Sequence, residues 1–569
     1  MSIFIAAPPL LEQSQDISEF YREISEQGYK ITYESVSAAY IDSLVRDGKL
    51  YLFQIYNKDF SPYSHGTPNL HTLYFKALFD EKTNGDIRLQ GDAMIFFREA
   101  SLKPEETTIH PANHPIPNKN PLNSKKQSTF PYDIVKNRRF TKNHFELHLP
   151  VELNAKAPES RNMDELVRSI LHKSTPPHII GIDRGERNLL YICVIDGSGN
   201  IVLQKSLNEI VSDNGHEVDY HALLDDREKA RDLARKSWNT IENIKELKEG
   251  YMSQVIHEIC ELVVKYDAVI ALENLNGGFK NSRAKVEKQV YQKFETMLTT
   301  KLNYLADKKL DSDTPGGLLN AYQLTNKAGK KHNNELQDGI LFYVPAWDTS
   351  KIDPATGFVS LFQTKYTTIS AAREFFSLFD DISYNEADDL FEFAADYEKF
   401  PRGSMDYRKK WTICTNGERI ENGGKKNQYA TRTVVLTDEF RRLFERYGIE
   451  VSRDLKEQIA VQSDSDFYRQ LMRLFALTVQ MRNSIPNSDV DYLISPVRNS
   501  EGRFFDSRTV KDGSLPENAD ANGAYNIARK CLWAIRVLQK KDEAHLDKVE
   551  LAITNQKWLE FAQQSECHE

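Results

Sequence analysis

The chain has 569 residues, 40% hydrophobic and 28% charged, with a formal net charge of −9. That length suggests three to four domains, each with ample core. No apolar run is long enough to span a membrane, no signal-peptide pattern opens the chain, and 5 scattered cysteines without a CxxC indicate neither disulfides nor zinc. A soluble protein of a reducing cytoplasm is the simple reading. The negative charge argues against a nucleic-acid binder, with limited weight, because binding depends on local patches and not on the total.

In chain order, residues 1–48 read as a helical lead-in, with 17–24 and 36–44 weakly periodic. Residues 49–56, 70–78, 93–97 and 145–150 read as strands. Between them, 103–143 is proline-rich and basic, the composition of a solvated loop.

Residues 176–207 read as a three-strand meander. The first strand, 178–182, is apolar and ends on Asp183; 189–195 is apolar on both faces, and Asp196-Gly197-Ser198-Gly199-Asn200 is a strong turn before 201–204. A carboxylate at the tip of a buried strand is costly unless something positive binds it. Taken alone, Asp183 is equally a turn cap beside Arg184 or Arg187.

Downstream, Ile241, Ile244, Leu247, Tyr251, Val255, Ile259 and Leu262 recur at helical spacing, and the apolar strand 267–272 that follows ends on Glu273. Far beyond, Asp520 stands near the start of a helix with an inner stripe of Ala524, Ile527, Cys531 and Ile535. The small residues Ala519, Ala521, Gly523 and Ala524 suit close approach to a sheet. A meander with Asp, a helix–strand with Glu and a helix with Asp form the order of the RuvC-type branch of the RNase H-like fold. Three converging carboxylates repel one another unless divalent cations sit between them. Magnesium takes hard oxygen ligands, and two ions can activate water and stabilise the leaving oxygen of a phosphodiester.

Several motifs carry a resemblance: GIDRGERNL, KEGYMSQVIHEI, ENLNGGFK, KVEKQVYQKFE, QMRNS, DYLISPV, FFDSR and NADANGAY, with GKLYLFQIYNKDF and PNLHTLYFKALF upstream. In this order they resemble the type V-A CRISPR effector nucleases (Cpf-one, also called Cas-twelve-a), from about Tyr29 to the C-terminus. The resemblance implies an α/β multidomain chain: a RuvC-type RNase H-like domain with an inserted nuclease (Nuc) domain, preceded by a β-rich wedge segment. Its divisions fall at 1–48 (remnant of the domain reading the motif that flanks the target), 49–165 (wedge), 166–221, 240–344 and 516–569 (RuvC), 222–239 (bridge helix) and 345–515 (Nuc). Family members are about twice as long on domain-size logic, so the chain looks like their C-terminal, nuclease half.

The resemblance further implies a guide CRISPR RNA, a target double-stranded DNA and a separate recognition-lobe polypeptide as partners, in a prokaryotic cytoplasm. Asp183, Glu273 and Asp520 would hold two Mg2+ ions, or Mn2+ in their place, with Arg482 needed for cutting. Without the resemblance, Arg482 reads as a cation at the end of the helix 467–481, favoured by the helix dipole. TIHPANHPIPNKN and YDIVKNRRF resemble the family's metal-free guide-processing site, with His110 as acid/base and Lys119 and Lys136 as electrostatic partners; His114 is the alternative base. Trp238 would anchor the bridge helix, or be an ordinary core residue. Lys280 would sit in a lid over the acids, or in a plain Gly-rich connection. Two other readings stand beside these: a catalytically idle nucleic-acid-binding fragment, and a TnpB-type transposon nuclease. The latter is disfavoured because only Cys414 lies between Glu273 and Asp520, where paired zinc motifs usually occur.

Overall fold

A computed structural model describes residues 36–50, 68–80, 82–83, 87–117, 126–152, 162–184, 190–211, 217–219, 244–274, 285–326, 336–423, 430–485 and 490–564. Two units emerge, one of residues 1–158 and 304–322, the other of 159–303 and 323–569. Among the described residues no helix is long and apolar enough to cross a membrane.

In the first unit, Leu70–Leu78 is a helix and not the expected strand. Asn69 caps it by accepting from the Thr72 N–H at 3.0 Å, and Tyr74, Ala77 and Leu78 bury a face against Leu318 and Leu319. Leu70, Leu73, Tyr74, Ala77 and Leu78 fall at helical spacing and, with the Asn69 cap, mark a helix; the aromatic pair Tyr74-Phe75 favours the strand reading instead. Of the expected strand 49–56, residues 51–56 lie outside the described residues. The other two expected strands are present as an antiparallel ribbon, Met94–Arg98 with His144–His148. The basic stretch is no plain loop: Thr108–His110 pairs with Ile134–Val135, and Ile116–Pro117 with Gln127–Ser128.

The second unit is built on helix α1 (Met163–Lys173) and a six-stranded sheet. Strands β1 (Ile179–Asp183), β2 (Tyr191–Ile195) and β3 (Ile201–Ser206) form the meander. Every residue of β1 and β2 is buried, which explains their unbroken apolar character. Helix α2 (Ile244–Tyr266) then leads into β4 (Val269–Asn274), which lies parallel to β1. Asp267, read as the start of that strand, instead turns the chain at φ 48°. After α3 (Lys285–Asn303), β5 (Gln337–Asp338) and β6 (Leu341–Pro345) complete the order β3-β2-β1-β4-β6-β5.

Residues between β6 and the last long helix form an antiparallel sheet of Asp381–Asn385, Leu390–Asp396 and Lys410–Cys414, packed on an aromatic core. Helix α4 (Ser465–Thr478) buries Phe467, Leu471, Leu474, Phe475 and Thr478, the face read from the sequence. Arg482 is not in a helix: it opens β7 (Arg482–Ser484), paired with β8 (Asp491–Arg498), itself paired with β9 (Phe504–Asp506). The helix-dipole account of Arg482 is therefore corrected. Helix α5 (Ala519–Gln539) packs on β1 and β2, with Ala524, Ile527, Cys531 and Ile535 buried.

Candidate active site

Asp183 is the last residue of β1, and the parallel register Ile182↔Leu272 sets Glu273 beside it on β4. Asp520 arrives from the other direction, in the first turn of α5, where the helix dipole favours a carboxylate. Asn518 caps that helix by accepting from the Ala521 N–H at 2.8 Å. Two glycines let the helix come this close. A Cβ at Gly181 would land on the Ala524 carbonyl oxygen and lie 2.8 Å from the Ala528 nitrogen; a Cβ at Gly523 would land on the Asp183 carboxylate.

The crowding shows in the electrostatics. Burial, then the charges of Glu273 and Asp520, push the Asp183 carboxyl up to about 8, against the Arg184 backbone N–H that donates to its Oδ1 at 2.9 Å. The Arg184 guanidinium donates to the Glu273 carbonyl oxygen at 2.8 Å, tying the two strand ends together. Thr349 donates to Glu273 Oε1 at 2.6 Å, and Arg482 donates to Asp520 Oδ1 at 2.9 Å. Among the described residues, no three His, Cys, Asp or Glu side chains stand gathered as a metal-binding group.

Behind the acids runs a polar ladder at four-residue spacing on α5. Asn522 donates to the Ile352 carbonyl at 2.9 Å and Asn526 to the Thr349 carbonyl at 3.0 Å. Lys530 donates to those of Pro345 and Trp347 at 2.8 and 2.6 Å. The ladder pins residues 345–352 along the helix, and with them the Thr349 hydroxyl against Glu273. Burial lowers Lys530 to about 7, against the pull of Glu273 and Asp348. On the other side of α5, Tyr191 hydrogen-bonds Glu517, and Gln204 donates to the Leu515 carbonyl at 3.0 Å, fixing the approach to Asp520. None of Thr349, Asn522, Asn526 and Lys530 was picked out from the sequence. The polar residues recurring every four positions in an otherwise apolar helix were the available signal.

The topology and the shared setting of the acids thus converge, and the family profile described as the RuvC nuclease domain matches residues 157–567. The chain belongs to the RuvC nuclease family. A RuvC domain is a nuclease, a hydrolase of phosphodiester bonds, and RuvC-type nucleases typically use divalent metal ions. Asp183, Glu273 and Asp520 offer only carboxylate oxygens, the kind of donor such ions take, and burial with the like charges of Glu273 and Asp520 destabilises an ionised Asp183, which a nearby cation would relieve.

Of the remaining expected residues of this RuvC protein, two lie in the first unit. His110 is half-buried opposite Ile134 on its ribbon, and the Lys136 backbone N–H donates to the Thr107 carbonyl at 2.9 Å on the same ribbon. Lys119, Trp238 and Lys280 lie outside the described residues.

Gly523→Ala tests the closeness of α5. The added methyl meets a side chain that can swing away and not backbone, so the expected loss is of activity, about 10- to 100-fold, on the scale of a 1 Å misplacement. Thermal stability should fall by no more than about 1–2 kcal/mol. A melting curve alongside a cleavage assay separates the two.

Proposed function

We propose that the chain is the nuclease half of a CRISPR RNA-guided DNA endonuclease of the RNase H-like class, cutting target DNA phosphodiesters in its RuvC site. The observation that carries the site assignment is Asp183 at the carboxyl end of the central strand, its carboxyl raised by burial and then by the nearby Glu273 and Asp520. Asp183, Glu273 and Asp520 would hold two Mg2+ ions, with Mn2+ able to replace them. Such ions supply positive charge to the scissile phosphate and to the attacking and leaving oxygens. The chain's own groups do the rest. Thr349 orients Glu273, the Arg184 guanidinium braces the β4 end, and Arg482, a third exposed, offers its planar donors to a phosphate.

The proposed partners are a guide RNA, target duplex DNA and a guide-binding recognition-lobe polypeptide, and the motif resemblance supports them. In that reading sequence is read by base pairing, while protein holds the heteroduplex by shape and backbone charge. Residues 345–515 would be the inserted Nuc domain and 49–165 the wedge segment.

Guide processing is the second proposed activity, with His110 as acid/base and Lys119 and Lys136 beside it. His110→Ala is expected to slow cutting of precursor guide RNA in EDTA by about 10²-fold or more, while magnesium-dependent DNA cleavage with a mature guide persists. Denaturing gels of both reactions check this. Precursor cutting that survives unchanged removes His110 from the role. DNA cleavage that proceeds equally in EDTA removes the metal-dependent RuvC reading.

A further inference from the structure

Arg482 holds two carboxylates at once. Its terminal nitrogen lies 2.9 Å from Asp520 Oδ1 and its Nε 3.5 Å from Asp491 Oδ1. The two acids are almost sealed, with side chains 1% and 4% exposed, whereas the arginine is 33% exposed. The guanidinium is therefore the component with room to move.

The strand register builds this arrangement. Arg482 pairs with Leu493 and Ser484 with Asp491, so Arg482 and Asp491 are diagonal neighbours across the β7–β8 ribbon. Asp520 belongs to a different element, the first turn of α5. One contact of Arg482 is thus internal to its own ribbon, and the other reaches out to the acidic site.

A divalent cation and a guanidinium cannot share the Asp520 carboxylate without like-charge repulsion in a poorly solvated place. Removing Arg482 from the almost sealed Asp491 altogether would cost a charge contact as well. Both constraints are met by one movement. We propose that Arg482 is an exchangeable counter-ion: it neutralises Asp520 before the metal loads, and Asp491 retains it at the rim of the site afterwards. Asp491 is then a positioning residue for the released guanidinium. This inference rests on the reading of Asp183, Glu273 and Asp520 as the cation site.

The test measures binding and not cleavage. The full chain, stripped with EDTA and exchanged into chelator-free buffer, is titrated with Mn2+, and free ion is followed by electron paramagnetic resonance. Arg482→Gln, which removes the competing charge at similar volume, is expected to bind Mn2+ about tenfold tighter than the unaltered chain. Asp491→Asn, which takes away the second seat, is expected to bind it at least about threefold more weakly. In the Arg482→Gln background, Asp491→Asn should make no further difference, because its effect runs through the arginine. Asp491→Ser serves as a second variant should the asparagine disturb folding, judged by melting in EDTA. Unchanged or weaker binding by Arg482→Gln overturns the exchange, as does an Asp491→Asn effect that persists without the arginine. Binding that survives Asp183→Asn undiminished overturns the cation site itself, and the exchange with it.

Discussion

Asp183→Ala is expected to lower divalent-cation-dependent nucleic-acid cleavage by at least about 10³-fold, the upper end of what one electrostatic stabiliser contributes in a desolvated site. The carboxylate stands at the end of a fully buried strand beside Glu273 and opposite Asp520, so no neighbouring oxygen can replace it. The same residue should behave oppositely in stability. Folded and metal-free, Asp183 keeps its proton up to about pH 8, whereas an unfolded chain releases it near 3.8. Between those values the folded state binds the extra proton, so rising pH erodes stability across the interval and leaves it at its lowest above pH 8. Asp183→Asn in EDTA should accordingly melt higher than the unaltered chain at pH 8 and above, by roughly 1–3 kcal/mol of stability. The advantage should vanish near pH 4. Divalent ion should reverse the order at pH 8, because only the aspartate gains from it. Melting curves at several pH values, with and without Mn2+, check the sign. A variant no more stable than the parent in EDTA at pH 8 would mean that burial and the neighbouring carboxylates do not destabilise an ionised Asp183.

Gly181→Ala should be the most damaging small substitution in the sheet. The methyl would strike the Ala524 carbonyl oxygen and the Ala528 nitrogen, both backbone of α5, so the helix must shift as a body. Overpacking of this kind costs about 3 kcal/mol at the upper end of its usual range. Because α5 also carries Asp520, cleavage should fall together with stability. That distinguishes the substitution from Gly523→Ala, where the obstacle is the Asp183 side chain and the backbone need not move. Equal melting temperatures for Gly181→Ala and the parent would show that the helix and strand do not approach as closely as these glycines permit.

The meander was legible because its signals are local: two apolar runs buried on both faces, and an Asp-Gly-Ser-Gly-Asn turn in which Asp196 Oδ1 accepts three backbone N–H groups. The α5 stripe was legible for a similar reason, since Ala524, Ile527, Cys531 and Ile535 repeat at helical spacing. Residues 70–78 form a helix and not a strand because Leu70, Leu73, Tyr74, Ala77 and Leu78 share one helical face, capped by Asn69 and buried against Leu318 and Leu319, whereas their aromatic content alone favours a strand. Arg482 was misplaced because three residues after the α4 end were enough to leave the helix and start a strand.

What the sequence determined by itself is the strands and the helix that carry Asp183, Glu273 and Asp520, since strand and helix periodicity are properties of neighbours along the chain. What only the tertiary structure decided is how those acids are held. The Arg482 contact with Asp520, the Thr349 contact to Glu273 and the carbonyl-binding ladder of Asn522, Asn526 and Lys530 all join residues far apart in sequence. Polar partners of this kind are chosen by which groups burial strands together without water. The four-residue spacing on α5 marks the ladder's polar face, but not which carbonyls that face will meet.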